Sequence, residues 1–186
     1  MIGLLWLILT ACTGESSEEQ TVTTDSAITE TPLEAPAAFA GYSPKFQKIL
    51  KTPDGMIRGI SLGDVLTQVK QQEQTQPMED STGYISYNVE LGNDEMTDVL
   101  YHYSPQQQTV SGITLDIFLN DPQSVDSLTQ EFTRYFSSKY GQPTLRESKA
   151  SAWQDQEQNQ IVLQDVGIPQ APGLRIQIAP GQEPRQ

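Results

Sequence analysis

The chain has 186 residues and carries 24 acidic side chains against 11 basic ones, a formal net charge of −13. A chain this acidic repels phosphate backbones, and it has no basic stripe with interleaved aromatic residues. We therefore expect no binding to nucleic acid.

The chain begins with an uninterrupted apolar segment that leads to its only cysteine. As a helix, residues 2–11 would span about 15 Å, half of the ~30 Å hydrocarbon core of a bilayer. This length fits the core of a cleavable signal peptide better than a membrane span. The four residues that close the segment, Leu9-Thr10-Ala11-Cys12, resemble the lipobox of bacterial envelope lipoproteins.

The resemblance implies a lipid anchor at Cys12. In such lipoproteins the chain is cut before this cysteine and the thiol receives a diacylglycerol; several acyl chains make a durable anchor. Thr13 stands where an Asp often retains such proteins in the inner membrane, so the resemblance implies the outer membrane, facing the periplasm or the cell surface. We expect residues 1–11 to be a signal peptide and Cys12 to be the lipid attachment site.

Residues 12–42 differ in composition from the rest of the chain. After the cysteine they contain six acids, no base and few large apolar side chains. Such a segment cannot bury enough apolar surface to offset its conformational entropy, so we expect a disordered tether spanning roughly 30 Å. A single domain over 43–180 and a flexible tail over 181–186 complete the predicted organisation.

Helical spacing of apolar residues predicts two longer helices and one short one. Ser61 and Asp64 match a capping box and predict a helix over 62–74. Asp121-Pro122 predicts the cap and first residue of a second helix, which ends at Gly141. An amphipathic turn is expected over 45–50. The bases Lys45, Lys48, Lys51 and Arg58 cluster there; a soluble helix is the simpler interpretation, and contact with anionic headgroups is the alternative.

Alternating polarity predicts strands between and after the helices. The order is helix, three strands, helix, three strands, which predicts an α+β fold: an antiparallel meander sheet with helices packed on one face. A short echo between residues 64–68 and 126–130 leaves open whether a helix-plus-three-strand unit is duplicated. The predicted strands are 85–91, 96–103, 113–119, 150–156, 160–166 and 173–179.

Two features after the second helix carry a looser resemblance. Gly141-Gln142-Pro143 ends the helix, and Trp153 lies on the strand that follows. This arrangement is similar to small bacterial envelope modules, including β-lactamase-inhibitor-like repeats and small outer-membrane assembly lipoproteins. The resemblance implies a non-enzymatic, protein-binding role.

An inventory of reactive side chains gives little support to catalysis. His102 is the only histidine, so no metal site with several histidines can form, and no Gly-x-Ser-x-Gly elbow is present. Asp94, Glu95 and Asp98 cluster at a hairpin, but their spacing matches no calcium loop. We expect no enzyme, no metal and no cofactor.

The candidate binding residues are those on the opposite strand parity from the aliphatic core. Tyr84 and Phe118 have this parity, and Arg175 would supply a charged contact of the kind that interfaces favour. His102 is a further candidate whose parity is ambiguous. The alternative is ordinary cross-strand pairing that only stabilises the sheet. Trp153 and the Tyr101/Tyr103 pair are assigned to the core.

Three functions remain open from the sequence. The first is a membrane-anchored, non-enzymatic envelope lipoprotein whose domain binds another envelope or secreted protein. The second is a carrier of a small or lipidic ligand in a cavity between helices and sheet. The third is an envelope hydrolase that uses carboxylates. The first is favoured because the sequence offers few catalytic groups and predicts an open sheet face.

Overall fold

The computed structural model of the chain describes residues 39–181. The predicted signal peptide, Cys12 and most of the predicted tether lie outside the described residues, as do residues 182–186 of the tail. Within the described range, no helix combines the length and apolar character that a membrane span requires.

Most of the helix boundaries agree with those predicted from the sequence. They are α1 (Pro44–Leu50), α2 (Leu66–Glu73) and α3 (Pro122–Tyr140), and a 3₁₀ turn over Phe39–Gly41 precedes them. The Asp121 carboxylate accepts the Ser124 N–H at 2.8 Å, so the predicted cap of α3 is confirmed. Tyr42, which composition assigns to the tether, is buried and stacks on Phe46 with ring centroids 4.4 Å apart.

The predicted start of α2 is wrong by four residues. The Asp64 carboxylate does accept the Ser61 N–H, at 2.8 Å, but this contact closes a turn that precedes the helix. Gly63 has a positive φ of 87°, which no α-helix contains, and the extended residue Val65 is the N-cap. The capping-box pattern therefore marks a turn here and not a helix start.

The sheet has eight strands where alternation predicts six. All are antiparallel, in the order β1-β2-β3-β4-β8-β7-β6-β5. The α+β class and the meander are confirmed, but each half of the chain adds one short edge strand, so the suggested repeat contains four strands; the duplication itself stays a prediction. The strands are β1 (Glu79–Ser81), β2 (Tyr84–Gly92), β3 (Glu95–Ser104), β4 (Thr109–Phe118), β5 (Leu145–Arg146), β6 (Ala150–Gln154), β7 (Gln160–Asp165) and β8 (Gly173–Ala179).

The helices cover one face of the sheet and bury an aromatic and aliphatic core. Phe46 of α1 packs on Phe132 of α3, with ring centroids 4.7 Å apart, and Phe136 packs on Trp153 at 5.3 Å. Trp153 and Tyr101 have no solvent exposure, and Tyr103 is half-buried against the core, which confirms the predicted core aromatics. One row of core residues runs straight across six strands: Ile85, Tyr101, Ile113, Ile178, Ile161 and Trp153.

A buried ionic cluster ties α1 and α2 to the sheet. Arg58 donates from Nε and Nη2 to the two carboxylate oxygens of Glu73, at 2.8 and 2.6 Å, and Tyr101 donates its hydroxyl to the same carboxylate at 2.5 Å. Arg58 Nη1 donates to the Ile49 carbonyl at the end of α1, at 2.6 Å. Burial alone would raise the pKa of Glu73, but the hydrogen bonds and charge of Arg58 outweigh it and hold that pKa below its usual value.

The basic residues that follow the predicted tether are largely used inside the fold. Arg58 is only 3% exposed, and Lys51 donates to the Glu73 carbonyl at 3.1 Å. Lys45 pairs with the buried Glu95 at 2.5 Å. Lys48 is exposed. The cluster therefore does not form a continuous basic surface, and the headgroup alternative receives no support.

Candidate functional site on the outer face of the sheet

The outer face is the side of the sheet opposite the helices. All four predicted binding residues lie on it, because each neighbours a buried core position along its strand. Tyr84 and His102 are direct cross-strand partners, which settles the parity of His102. Phe118 lies on β4 and Arg175 lies on β8. The role of all four residues in binding stays a prediction.

These four residues form two groups and not one. His102 is six residues along β3 from Met96, the cross-strand partner of Phe118. At about 3.3 Å per residue, the row of Phe118 lies about 20 Å from the row of Tyr84 and His102, and the row of Arg175, in register with Asp98, lies about 13 Å from it. Tyr84 and His102 therefore mark one end of the outer face, and Phe118 marks the other end.

A polar row crosses the middle of the outer face. Asn88, Asp98, Asp116 and Arg175 are successive cross-strand neighbours on β2, β3, β4 and β8. Asn88 donates to the Asp98 carboxylate at 2.7 Å, and Arg175 Nε donates to the Asp116 carboxylate at 2.6 Å. The hydrogen bond to Asp116 raises the pKa of Arg175 above its usual value, because the carboxylate favours the charged guanidinium.

A second row, which we call the apolar row, crosses the end of the outer face that carries Phe118. It consists of Met96, Phe118, Gly173 and Val166, each beside the next: Met96 pairs with Phe118, Phe118 pairs with Gly173, and the Val166 N–H donates to the Gly173 carbonyl. The exposed fractions of Met96, Phe118 and Val166 are 38%, 49% and 43%. Met96 and Val166 are not among the binding residues predicted from strand alternation in the sequence.

Gly173 leaves a gap in the apolar row. A Cβ atom at this position would lie 2.7 Å from the Ile117 carbonyl oxygen, so the close approach of the two strands excludes a side chain. Phe118 and Val166 stand on either side, two strand spacings apart, or about 10 Å. The apolar row is therefore interrupted at Gly173, which is itself buried between them.

The outer face is acidic. Glu79, Glu90, Asp98 and Asp116 occupy outward strand positions. Arg175 is the one basic residue at an outward strand position in residues 39–181. The formal charge of these outward positions is therefore −3, and it favours a partner of opposite charge.

A groove of about 1020 Å³ lies between α1 and α3. Two of its charged side chains already have partners. Glu131 accepts both the N–H and the hydroxyl of Ser43, each at 2.7 Å, and Lys45 pairs with Glu95 at 2.5 Å. The first contact holds the start of α1 against α3 and the second holds α1 against β3, which makes the groove a weaker candidate site than the outer face.

The packing does not favour the carrier or the hydrolase. Aromatic rings with centroids 4.4–5.3 Å apart fill the space between helices and sheet where a carried ligand would lie. Asp98 and Asp116 are neighbouring carboxylates, but they lie on an open face and each is hydrogen-bonded. Carboxylates that cleave glycosides work in a water-excluding cleft.

Comparisons with protein-family models, with curated proteins and with solved structures find no match to this chain. The resemblances to envelope lipoproteins and to inhibitor-like modules therefore stay predictions. A function for this domain has to be inferred from the geometry of its outer face.

Proposed function

We propose that the chain is a membrane-anchored, non-enzymatic envelope lipoprotein whose domain binds another envelope or secreted protein through the outer face of its sheet. The observation that carries this proposal is a sheet face left uncovered by the three helices, with Phe118 half exposed and Arg175 beside it. Exposed aromatic and arginine side chains are the types that dominate binding energy at interfaces.

The shape of the sheet favours docking on its face over addition of a strand at its edge. The edge strands β1 and β5 have three and two residues. Short edge strands are one way in which native sheets avoid unwanted pairing, and residues 87–92 of β2, which β1 does not cover, form the rest of that edge. A partner is therefore expected to contact outward side chains.

The anchor and the tether fit this role. A lipid on Cys12 would confine the domain to a membrane surface, and about thirty residues of tether would let it search roughly 30 Å. Confinement raises the effective concentration of the domain near partners in the same membrane. Weak contacts on the outer face would then suffice for occupancy.

A photo-crosslinking amino acid placed on either side of the domain tests the proposal. Gln177 lies on the outer face and is exposed, while Gln71 is an exposed residue on α2. In cells that produce the full chain, we expect one discrete adduct with an envelope protein from position 177 and none from position 71. Phe118→Ser should abolish the adduct. The same adducts from both positions, or an adduct from position 71 alone, would show that the outer face is not the binding surface.

A further inference from the structure

The exposed apolar side chains of the described domain concentrate at one end of the sheet. Seven large apolar residues are exposed, and four of them lie where the β2–β3 turn, the β7–β8 loop and the start of α3 meet. The four are Met96, Phe118, Val166 and Ile168; the remaining three, Val65, Met78 and Leu145, lie apart from them.

Three of the four form the apolar row on the outer face. Met96, Phe118 and Val166 span three strand spacings, about 14 Å, with the buried Gly173 between the last two. Ile168 faces the other way and lines a recess of about 290 Å³ with Pro122 of α3. The row is thus a compact patch the size of a few side chains.

Acidic residues lie at the Met96 end of the apolar row. Glu90 is the cross-strand partner of Met96, Asp94 is exposed in the adjoining turn, and Asp98 lies two residues along β3. Within residues 39–181 these three acids form no ion pair, whereas Asp116 is paired with Arg175. This end of the row therefore carries about three uncompensated negative charges.

We propose that the apolar row is the anchor point for a basic protein segment, which packs one apolar side chain against Phe118 and places Lys or Arg residues against the acids at the Met96 end of the row. This inference rests on the proposed function and names the chemistry of the partner. A second copy of the chain would bring the same acids to the contact, and an anionic lipid surface would be repelled by them. A cationic segment that carries an apolar side chain is the occupant that both the apolar contacts and the acidic residues of the patch would stabilise.

Synthetic peptides supply defined probes for this chemistry. The first is a nine-residue peptide with one central leucine flanked by lysine pairs. In the second peptide serine replaces the leucine, and in the third glutamate replaces the lysines. Binding to the purified full chain is followed by fluorescence anisotropy, and backbone NMR shifts report where each peptide binds.

The leucine–lysine peptide is expected to bind and to shift the amide signals of Met96, Phe118 and Val166 more than those of Tyr84 and His102. Phe118→Ser should weaken binding at least tenfold while the chain stays folded, since about half of this side chain is exposed. The serine peptide should lose binding by a similar factor, and the glutamate peptide should not bind. Raising the salt concentration should weaken the interaction, because the charges of the acidic residues are screened.

Two variants provide matched controls. Ile168→Ser removes an exposed apolar side chain at the same end of the sheet but outside the row, and Leu145→Ser removes one near the far edge, about 23 Å from Phe118. Neither should change the affinity by more than twofold. Equal loss in these variants would show that the peptide responds to general surface apolarity and would overturn the inference.

Other results would overturn the inference in favour of another occupant. Equal affinity for the leucine and serine peptides would mean that charge alone attracts the peptide. Dimers in sedimentation that dissociate on Phe118→Ser would assign the row to a second copy. Binding to anionic vesicles that is lost on the same change would assign it to the membrane. A discrete adduct from position 177 together with failure of the peptide would leave the proposed function standing and remove only this inference.

Discussion

Replacing Glu73 by leucine is expected to lower the free energy of unfolding by about 4 kcal/mol. The change leaves the Arg58 guanidinium, which is 3% exposed, without its counter-charge, and it removes the acceptor of the Tyr101 hydroxyl. Breaking a buried ion pair by removing one partner costs about 3–5 kcal/mol. The orphaned hydroxyl adds to this, while the two carbonyls that still accept from Arg58 relieve part of the penalty.

The measurement is urea unfolding of the full chain, followed by circular dichroism, with thermal unfolding as a second readout. A loss of about 4 kcal/mol corresponds to a fall in melting temperature of about 8–16 °C for a domain of this size. Asp80→Leu is the matched control, because Asp80 pairs with Lys70 at 2.7 Å in an exposed position. Exposed pairs contribute about 0–1 kcal/mol, so this variant should remain close to the parent.

A double variant tests the coupling between Arg58 and Glu73. Arg58→Met combined with Glu73→Leu removes both charges, and the double variant should be more stable than the sum of the two single losses predicts, by at least about 1–2 kcal/mol. A loss below about 1 kcal/mol in Glu73→Leu would refute the argument that the cluster is electrostatically buried. Strict additivity of the two changes would refute the coupling between Arg58 and Glu73.

The parent chain should lose stability as the pH falls from neutral through the folded-state pKa of Glu73. A carboxyl whose pKa is lowered in the folded state contributes stability above its unfolded pKa, and this stability is lost on protonation. Glu73→Leu should show a shallower loss of stability in urea titrations at different pH values. Gly55→Ala should cost about 2–3 kcal/mol in the same assay, since φ there is +62° and a Cβ would lie 2.6 Å from the Ile60 nitrogen; Gly63→Ala, also at positive φ but in open space, should cost only about 1 kcal/mol. Cys12→Ser should move the chain from the membrane fraction to the soluble fraction on cell fractionation, and an unchanged distribution would contradict lipid attachment.

Local patterns suffice to predict most of the fold. Alternation places six strands, and Asp121-Pro122 places the start of α3, because these signals depend on neighbours within a few residues. The strands β1 and β5 escape prediction because two or three residues are too few to show a period. The start of α2 is misplaced because Ser61 and Asp64 make the same contact in a turn as in a helix cap.

The candidate site can be predicted only in part. Parity along a strand places Tyr84, Phe118 and Arg175 on the outer face, since parity is a local property. The apolar row depends on the register between β4 and β8, which joins Phe118 to Gly173, residues far apart in the chain. No local period fixes such a register, so the sequence alone does not identify Val166 as a neighbour of Phe118.

The pairing of β4 with β8 also has a consequence for the order of folding. Every other strand pair in the described sheet joins chain neighbours through a short connection, whereas the β4–β8 contact between Asp116 and Arg175 closes 59 residues. For a flexible chain, closing a loop ten times longer than a hairpin costs about 2 kcal/mol more in entropy. The two meanders can therefore form early and separately, and the central seam is expected to form last, so that substitutions along it should accelerate unfolding more than they slow folding.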